Sequence, residues 1–135
     1  MTVHILNALR EREKRTGAMS FSEYMFTDIT PAFFESVQER WSSEDLRNRM
    51  RYKTLDMECS VSEQGFSENA YDLLVAGSCV HATALLHKTV RNLRRLLKPG
   101  GRFVMLEITN PSDITSCFFS TLASGWWLSQ EKEGE

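Results

Sequence analysis

The sequence predicts an α/β fold with a mostly parallel sheet, and two observations carry that reading. Short runs rich in aromatic and β-branched residues alternate with segments of helical periodicity, and strands joined by helical crossovers pair in parallel. Two of the runs, 71–78 and 102–109, are almost continuously apolar, the pattern of strands covered on both faces. The size fits one domain, since 135 residues fall within the common range of roughly 100–150.

Residues 1–17 read as a helix. Ile5, Leu6 and Leu9 share a stripe, mixed charges from Arg10 to Arg15 make its solvated end, and Gly17 stops it. Residues 21–29 form a strand closing on Asp28. Thr30 caps the next helix and Pro31 takes its first position; over 31–41 that helix places Phe34, Val37 and Trp41 on one face. Ser42 to Asp45 cap a short basic helix or turn through Arg49. A second strand, 51–56, closes on Asp56, and 57–69 reads as a loop. The strand over 71–78 ends on Gly77 and Ser78. The strongest helix comes next, with Leu86, Val90, Leu93 and Leu97 at i, i+4, i+7 and i+11, and Lys98-Pro99-Gly100-Gly101 ends it. Lys88, Arg91, Arg94, Arg95 and Lys98 form its solvated face. The strand over 102–109 carries Glu107. Beyond it lies an apolar stretch, 117–128, with Trp126 and Trp127, and then an acidic end. The organisation expected is one domain: a helix over 1–17, a strand and helix core over 21–109, and a tail over 110–135.

Composition removes several classes. Hydrophobic residues at 41% and charged residues at 25% are ordinary globular usage, which excludes whole-chain disorder. A net charge of −2 offers no bulk basicity for nucleic acid. No apolar run reaches the ~20 residues of a membrane span. Cys59, Cys79 and Cys117 are too few and too scattered for a disulfide framework or a paired-cysteine metal knuckle, so no metal site is expected. The first charges come after the apolar residues, the reverse of a secretory signal, so a cytoplasmic location is expected.

Ligands of open parallel sheets bind beyond the carboxyl ends of the strands. Asp28 and Asp56 fall there, and a carboxylate is suited to accept from the two hydroxyls of a ribose; the competing reading is that each caps the adjoining turn. His81 lies just past the strand over 71–78, where an imidazole can serve as a general base near neutral pH. Glu107 on the neighbouring strand could hold that ring in one tautomer; the competing role for His81 is a helix-cap interaction. Cys79 reads as a small buried hydrophobe. His4 and His87 read as helix-surface residues. Trp126 and Trp127 either line a pocket for an acyl chain or cover the sheet edge.

The stretches YMFTDITPAFFESVQERW, RMRYKTLDMECSVSEQGFSENAYDLLVAGSCVHAT, RNLRRLLKPGGRFVMLEITNPSD and SGWWL span about residues 21–128. Together they resemble the carbon-methyltransferase domain of fungal highly reducing polyketide synthases, a class I S-adenosylmethionine (SAM) enzyme of the methyltransferase type 12 kind. The resemblance implies a Rossmann-like sheet in which Asp28 binds the SAM ribose, Asp56 and Met57 border the adenine, and Ser78 lines the cofactor. It makes His81 and Glu107 the catalytic pair. It implies methyl transfer from SAM to the α-carbon of a β-ketoacyl chain on an acyl carrier protein, with the rest of a polyketide synthase as a further partner.

Three departures from that pattern carry expectations of their own. The family's first strand and glycine-rich loop have no counterpart, because Met1 already falls inside the first helix. The chain stops after GWWL, before the final strands, so the domain reads as truncated at both ends. Ser78 and Cys79 stand where the family more often has an Asn and an aliphatic residue. The glycine-rich loop is where backbone approaches the cofactor most closely, so weak SAM binding and an inactive isolated chain are expected. Two alternatives stay open: a catalytically inactive remnant or binding module, and a free-standing small-molecule O-methyltransferase. In the implied sheet the first strand lies between the strands ending at Asp28 and Ser78. Those two strands are therefore expected either to pair directly or to keep unpaired edges.

Overall fold

The computed structural model describes residues 1–107. The chain divides into two units, Met1–Leu55 and the residues from Asp56 onward, and among the described residues the strands form two parallel sheets of two strands each.

In the first unit, helix α1 (Thr2–Thr16) ends as expected at Gly17, whose left-handed φ of 68° lets its N–H return to the Glu13 carbonyl at 2.8 Å. Strand β1 (Tyr24–Asp28) leads into a 3-10 turn, Pro31–Phe33, and then into α2 (Phe34–Arg40), α3 (Glu44–Arg49) and strand β2 (Met50–Thr54). Thr30 does cap the turn, accepting from the Ala32 N–H at 3.3 Å. Regular helix starts only at Phe34, a tighter entry than the sequence indicates. Phe26 faces Tyr52 across the ladder, and the Phe34 ring closes over both at 6.1 and 6.0 Å. Leu6, Leu46 and Met50 form the buried centre, with Phe21, Tyr24 and Trp41 packed against it.

Arg49 ties this unit together. Its guanidinium donates to both Glu13 oxygens at 2.8 and 3.3 Å, to the Phe21 carbonyl at 3.1 Å and to Asp45 at 2.5 Å, and lies 4.2 Å from the Phe21 ring centroid. Four hydrogen bonds to three residues on three segments use the planar fork that only Arg offers.

In the second unit, strand β3 (Tyr71–Gly77) precedes a 3-10 turn, Val80–Ala82, helix α4 (Leu86–Leu96) and strand β4 (Leu97–Leu106). The last strand begins earlier than expected. Tyr71 pairs with Leu97, and the ladder resumes only at Leu73 with Arg102, so residues 98–101 are looped out as a bulge within the strand. Gly100 takes a φ of 79° there. At Gly101 a Cβ would sit 3.0 Å from the Lys98 carbonyl and 3.1 Å from that of Tyr71. This bulge sets the register that brings Gly77 opposite Leu106.

Two readings of this unit are corrected. The buried stripe of α4 is Thr89, Asn92, Leu93 and Leu96, whereas Leu86 and Val90 are 42% and 39% exposed. On the buried side Asn92 donates to the Met57 carbonyl at 2.9 Å. The β3–β4 pair is also not covered on both faces. Leu73, Val104 and Leu106 share one face by register and are 45%, 50% and 63% exposed. Met105, on the opposite face, is 51% exposed as well.

Residues 1–17 are helical and supply no strand. Among the described residues β1 pairs with β2 and β3 with β4, so β1 and β3 each keep one edge without a strand partner. No helix among these residues is long and apolar enough to cross a membrane. The expectations for Ile108, Thr109, Cys117, Trp126, Trp127 and the tail lie outside the described residues.

This packing has two measurable outcomes. Hydrogen bonds from Arg49, then from the Ser20 N–H, hold the Glu13 carboxyl at about 2 against an ordinary 4.5. Its contribution to stability is therefore complete above pH 4.5 and is lost as pH falls from there towards 2. Urea midpoints across that window should drop for the native chain, and Glu13→Gln should flatten the part of the slope due to this group. Separately, Gly101→Ala should lower stability by about 1–3 kcal/mol, the usual range for overpacking, because backbone carbonyls meet the new methyl; urea unfolding measures it.

Candidate active site at the carboxyl ends of the strands

Parallel pairing lays the ends of β3 and β4 side by side. Ser78 N–H donates to the Leu106 carbonyl at 2.8 Å, and the next residue after β4 is Glu107. At Ser78 the chain turns with a φ of 52°, a left-handed conformation that costs a residue with a Cβ about 1–2 kcal/mol. That turn drops Val80–Ala82 into its 3-10 turn and carries His81 back towards β4. Strain of this kind at a strand end is common where backbone is shaped for a ligand, and Ser78 is exposed there.

Glu107 receives the turn from two directions. Its Oε1 accepts from the N–H groups of Cys79 and Val80 at 3.3 and 3.0 Å, and its Oε2 meets His81 Nδ1. The side chains of His81 and Glu107 are 25% and 13% exposed. A carboxylate oxygen only accepts, so Nδ1 carries the proton and the neutral ring has its lone pair on Nε2. Glu107, and not His81, caps the start of the turn, and its other oxygen engages the imidazole. Cys79 is half-buried, less enclosed than expected.

Asp56 and Met57 lie in the loop after β2, because that strand ends at Thr54. Both Asp56 oxygens are used locally, Oδ1 by the Glu58 N–H at 2.9 Å and Oδ2 by the Cys59 thiol at 3.2 Å. This carboxylate raises the Cys59 pKa by accepting from its thiol. Asp56 thus caps its own turn. In the first unit Asp28 ends β1, with its carbonyl accepting from Leu55 N–H at 2.9 Å. Its Oδ1 accepts from Thr30 N–H at 3.0 Å, while Oδ2 has no protein partner among the described residues. Asp28 caps its turn with one oxygen and presents the other.

Three contributors to this region were not singled out from sequence: Glu58, Gln64 and Asn92. Glu58 accepts from the Ala84 N–H at 2.7 Å, Gln64 bridges the Asp56 backbone, and Asn92 holds the Met57 carbonyl. Only Asn92 left a signal. Thr89 and Asn92 recur at i, i+3, marking a polar pair on α4 that the apolar residues outweigh.

Comparison with known proteins places these features beside a family. A model of a methyltransferase domain family matches residues 2–103. Highly reducing polyketide synthase 2 of Gibberella zeae is 48% identical over 132 residues, which is 98% of this chain and 5% of that protein. The hybrid PKS-NRPS synthetase iccA of Talaromyces variabilis is 47% identical over 112 residues, 83% of this chain and 3% of that protein. This chain thus spans a small part of the curated relatives it matches. Among solved structures, the trans-methyltransferase CalH in complex with SAH superposes with a TM-score of 0.79 at 34% identity, covering 93% of this chain and 34% of that one. The CMeT domain of the citrinin polyketide synthase gives 0.74 at 27% identity, covering 96% and 31%.

The double engagement of Glu107 has a measurable consequence for stability alone. Glu107→Ala leaves two backbone N–H groups without their acceptor and should cost about 1–3 kcal/mol. Glu107→Gln keeps an acceptor for both and should recover most of that loss, as read from urea midpoints.

Proposed function

Because this chain belongs to the methyltransferase domain family, we propose that it carries the base and much of the cofactor-binding edge of a SAM-dependent carbon methyltransferase. Its substrate is the α-carbon of a β-ketoacyl chain on an acyl carrier protein, within a polyketide synthase. Residues 1–17, 21–109 and 110–135 are then the helix, core and tail of one partial domain. The observation that carries the reading is the His81–Glu107 pair at the joined ends of β3 and β4. Similarity to polyketide synthases and to solved methyltransferases supports it.

The residues present fit SAM at two points. Asp28 offers its second oxygen to the ribose hydroxyls, and Ser78 lines the cofactor from an exposed, strained strand end. Asp56, with its oxygens committed, shapes the loop that carries Met57 to the adenine. When bound, SAM supplies the electrophilic methyl group taken by the substrate carbon. His81 removes the α-proton through Nε2, and the electron pair spreads over the flanking ketone and thioester. Glu107 fixes the tautomer that makes this possible and stabilises the imidazolium that results.

Calorimetric titration of the chain with S-adenosylhomocysteine tests the cofactor assignment. Saturable binding supports it, and no binding favours the inactive-remnant reading. In the full-length protein, His81→Ala should reduce methylation by about 10²–10⁴-fold, the usual share of a general base, with cofactor affinity nearly unchanged. Asp28→Ala should instead weaken the cofactor by roughly ten- to a hundredfold, the equivalent of one hydrogen bond to a charged group. A His81→Ala enzyme methylating at the normal rate would remove the base assignment.

A further inference from the structure

The turn that carries His81 is weakly held by its own backbone. Its two 3-10 hydrogen bonds, from the Ala82 N–H to the Cys79 carbonyl and from the Thr83 N–H to the Val80 carbonyl, are both 3.3 Å long, beyond the usual range of about 2.7–3.2 Å. Glu107 holds the N–H groups at the start of the turn and the imidazole. The carbonyl side is held by Thr83, whose hydroxyl donates to the Val80 carbonyl at 2.7 Å. Val80 and Thr83 are 0% and 7% exposed, so bulk water cannot stand in for that donor. Directly beyond, the Ala84 N–H donates to Glu58 at 2.7 Å, which anchors the chain as it leaves Thr83. The Val80 carbonyl and the His81 N–H share one rigid peptide plane. Fixing the carbonyl therefore fixes the plane from which the His81 side chain departs.

We infer that Thr83 is a positioning residue for the base: its hydroxyl sets the Val80–His81 peptide, so that Nε2 of His81 is presented at one place while Glu107 holds Nδ1. The inference rests on the methyltransferase reading, in which Nε2 takes the substrate proton. Thr83 touches no reacting atom and acts through His81. A general base must meet its proton at about 2.6–3.2 Å, and a misplacement near 1 Å can cost up to about 10²-fold in rate. Without the hydroxyl, the Val80 carbonyl keeps the 3.3 Å backbone bond, and the peptide gains room to tilt.

The test compares Thr83→Val, Thr83→Ser and Thr83→Ala in the full-length protein, following methylation of a carrier-bound acetoacetyl thioester at varied SAM. Thr83→Val keeps the shape and removes the hydroxyl, whereas Thr83→Ser keeps the hydroxyl and removes the methyl. Thr83→Val and Thr83→Ala should lower kcat about tenfold and leave KM for SAM within about twofold of native. Thr83→Ser should restore most of the rate. If Thr83→Val does not fold, Thr83→Ser against Thr83→Ala decides, since those two differ by the hydroxyl alone. Rates that follow side-chain volume, with Thr83→Val near native and Thr83→Ser slow, overturn the inference. So does a loss of SAM affinity in step with kcat, the mark of general disruption. His81→Ala separates this inference from the reading beneath it. Slow methylation by His81→Ala with native rates in Thr83→Val and Thr83→Ala overturns the role of Thr83 alone. A native rate in His81→Ala overturns the base assignment and the role of Thr83 with it.

Discussion

The Glu107 carboxylate is the constraint on which the candidate site depends. Its position is fixed by the β3–β4 ladder, and its two oxygens fix the turn after β3: the N–H groups of Cys79 and Val80 on one side, the His81 ring on the other. A short 3-10 turn has little stability of its own, so an acceptor delivered from the neighbouring strand gives His81 a defined place. The bulge at 98–101 sits far back along the same strand. It governs the site indirectly, because slipping a parallel strand by one residue would turn Glu107 to the opposite face.

The elements that announce themselves in the sequence are those governed by local rules. Gly17 ends α1, Thr30 and Pro31 open the turn after β1, and Asp28 and Glu107 lie at strand ends as the pattern implies. The misreadings arise where tertiary partners outvote local pattern. Apolar spacing on α4 favours Leu86 and Val90, but the buried side carries Thr89, Asn92, Leu93 and Leu96, with Asn92 reaching the Met57 carbonyl. Lys98-Pro99-Gly100-Gly101 has the form of a helix stop, and the helix does stop at Leu96, but the four residues belong to a strand bulge. No local rule distinguishes those uses of Pro and Gly.

The pairing of His81 with Glu107 is legible because strand order in an α/β fold makes consecutive parallel strands neighbours. The bracing of the loop after β2 is not. Gln64 and Glu58 act through backbone groups, and a backbone partner leaves no mark on sequence. Asp56 shows the same limit from the other side. Its place after a strand is equally compatible with a ligand contact and with a turn cap, and the turn cap is the part the structure displays.

The separation of the described strands into two pairs bears on how these residues acquire their structure. Each pair joins segments roughly 30 residues apart, a loop whose closure entropy grows only logarithmically with length. Phe26 need wait only for Tyr52, and Leu74 only for Phe103. During synthesis the ladder through Phe26 and Tyr52 can form before β3 has been made, and the second ladder then depends on residues of its own. Folding is thereby divided into two short-range searches taken in chain order, a lower contact order than one sheet closed across its full length would demand.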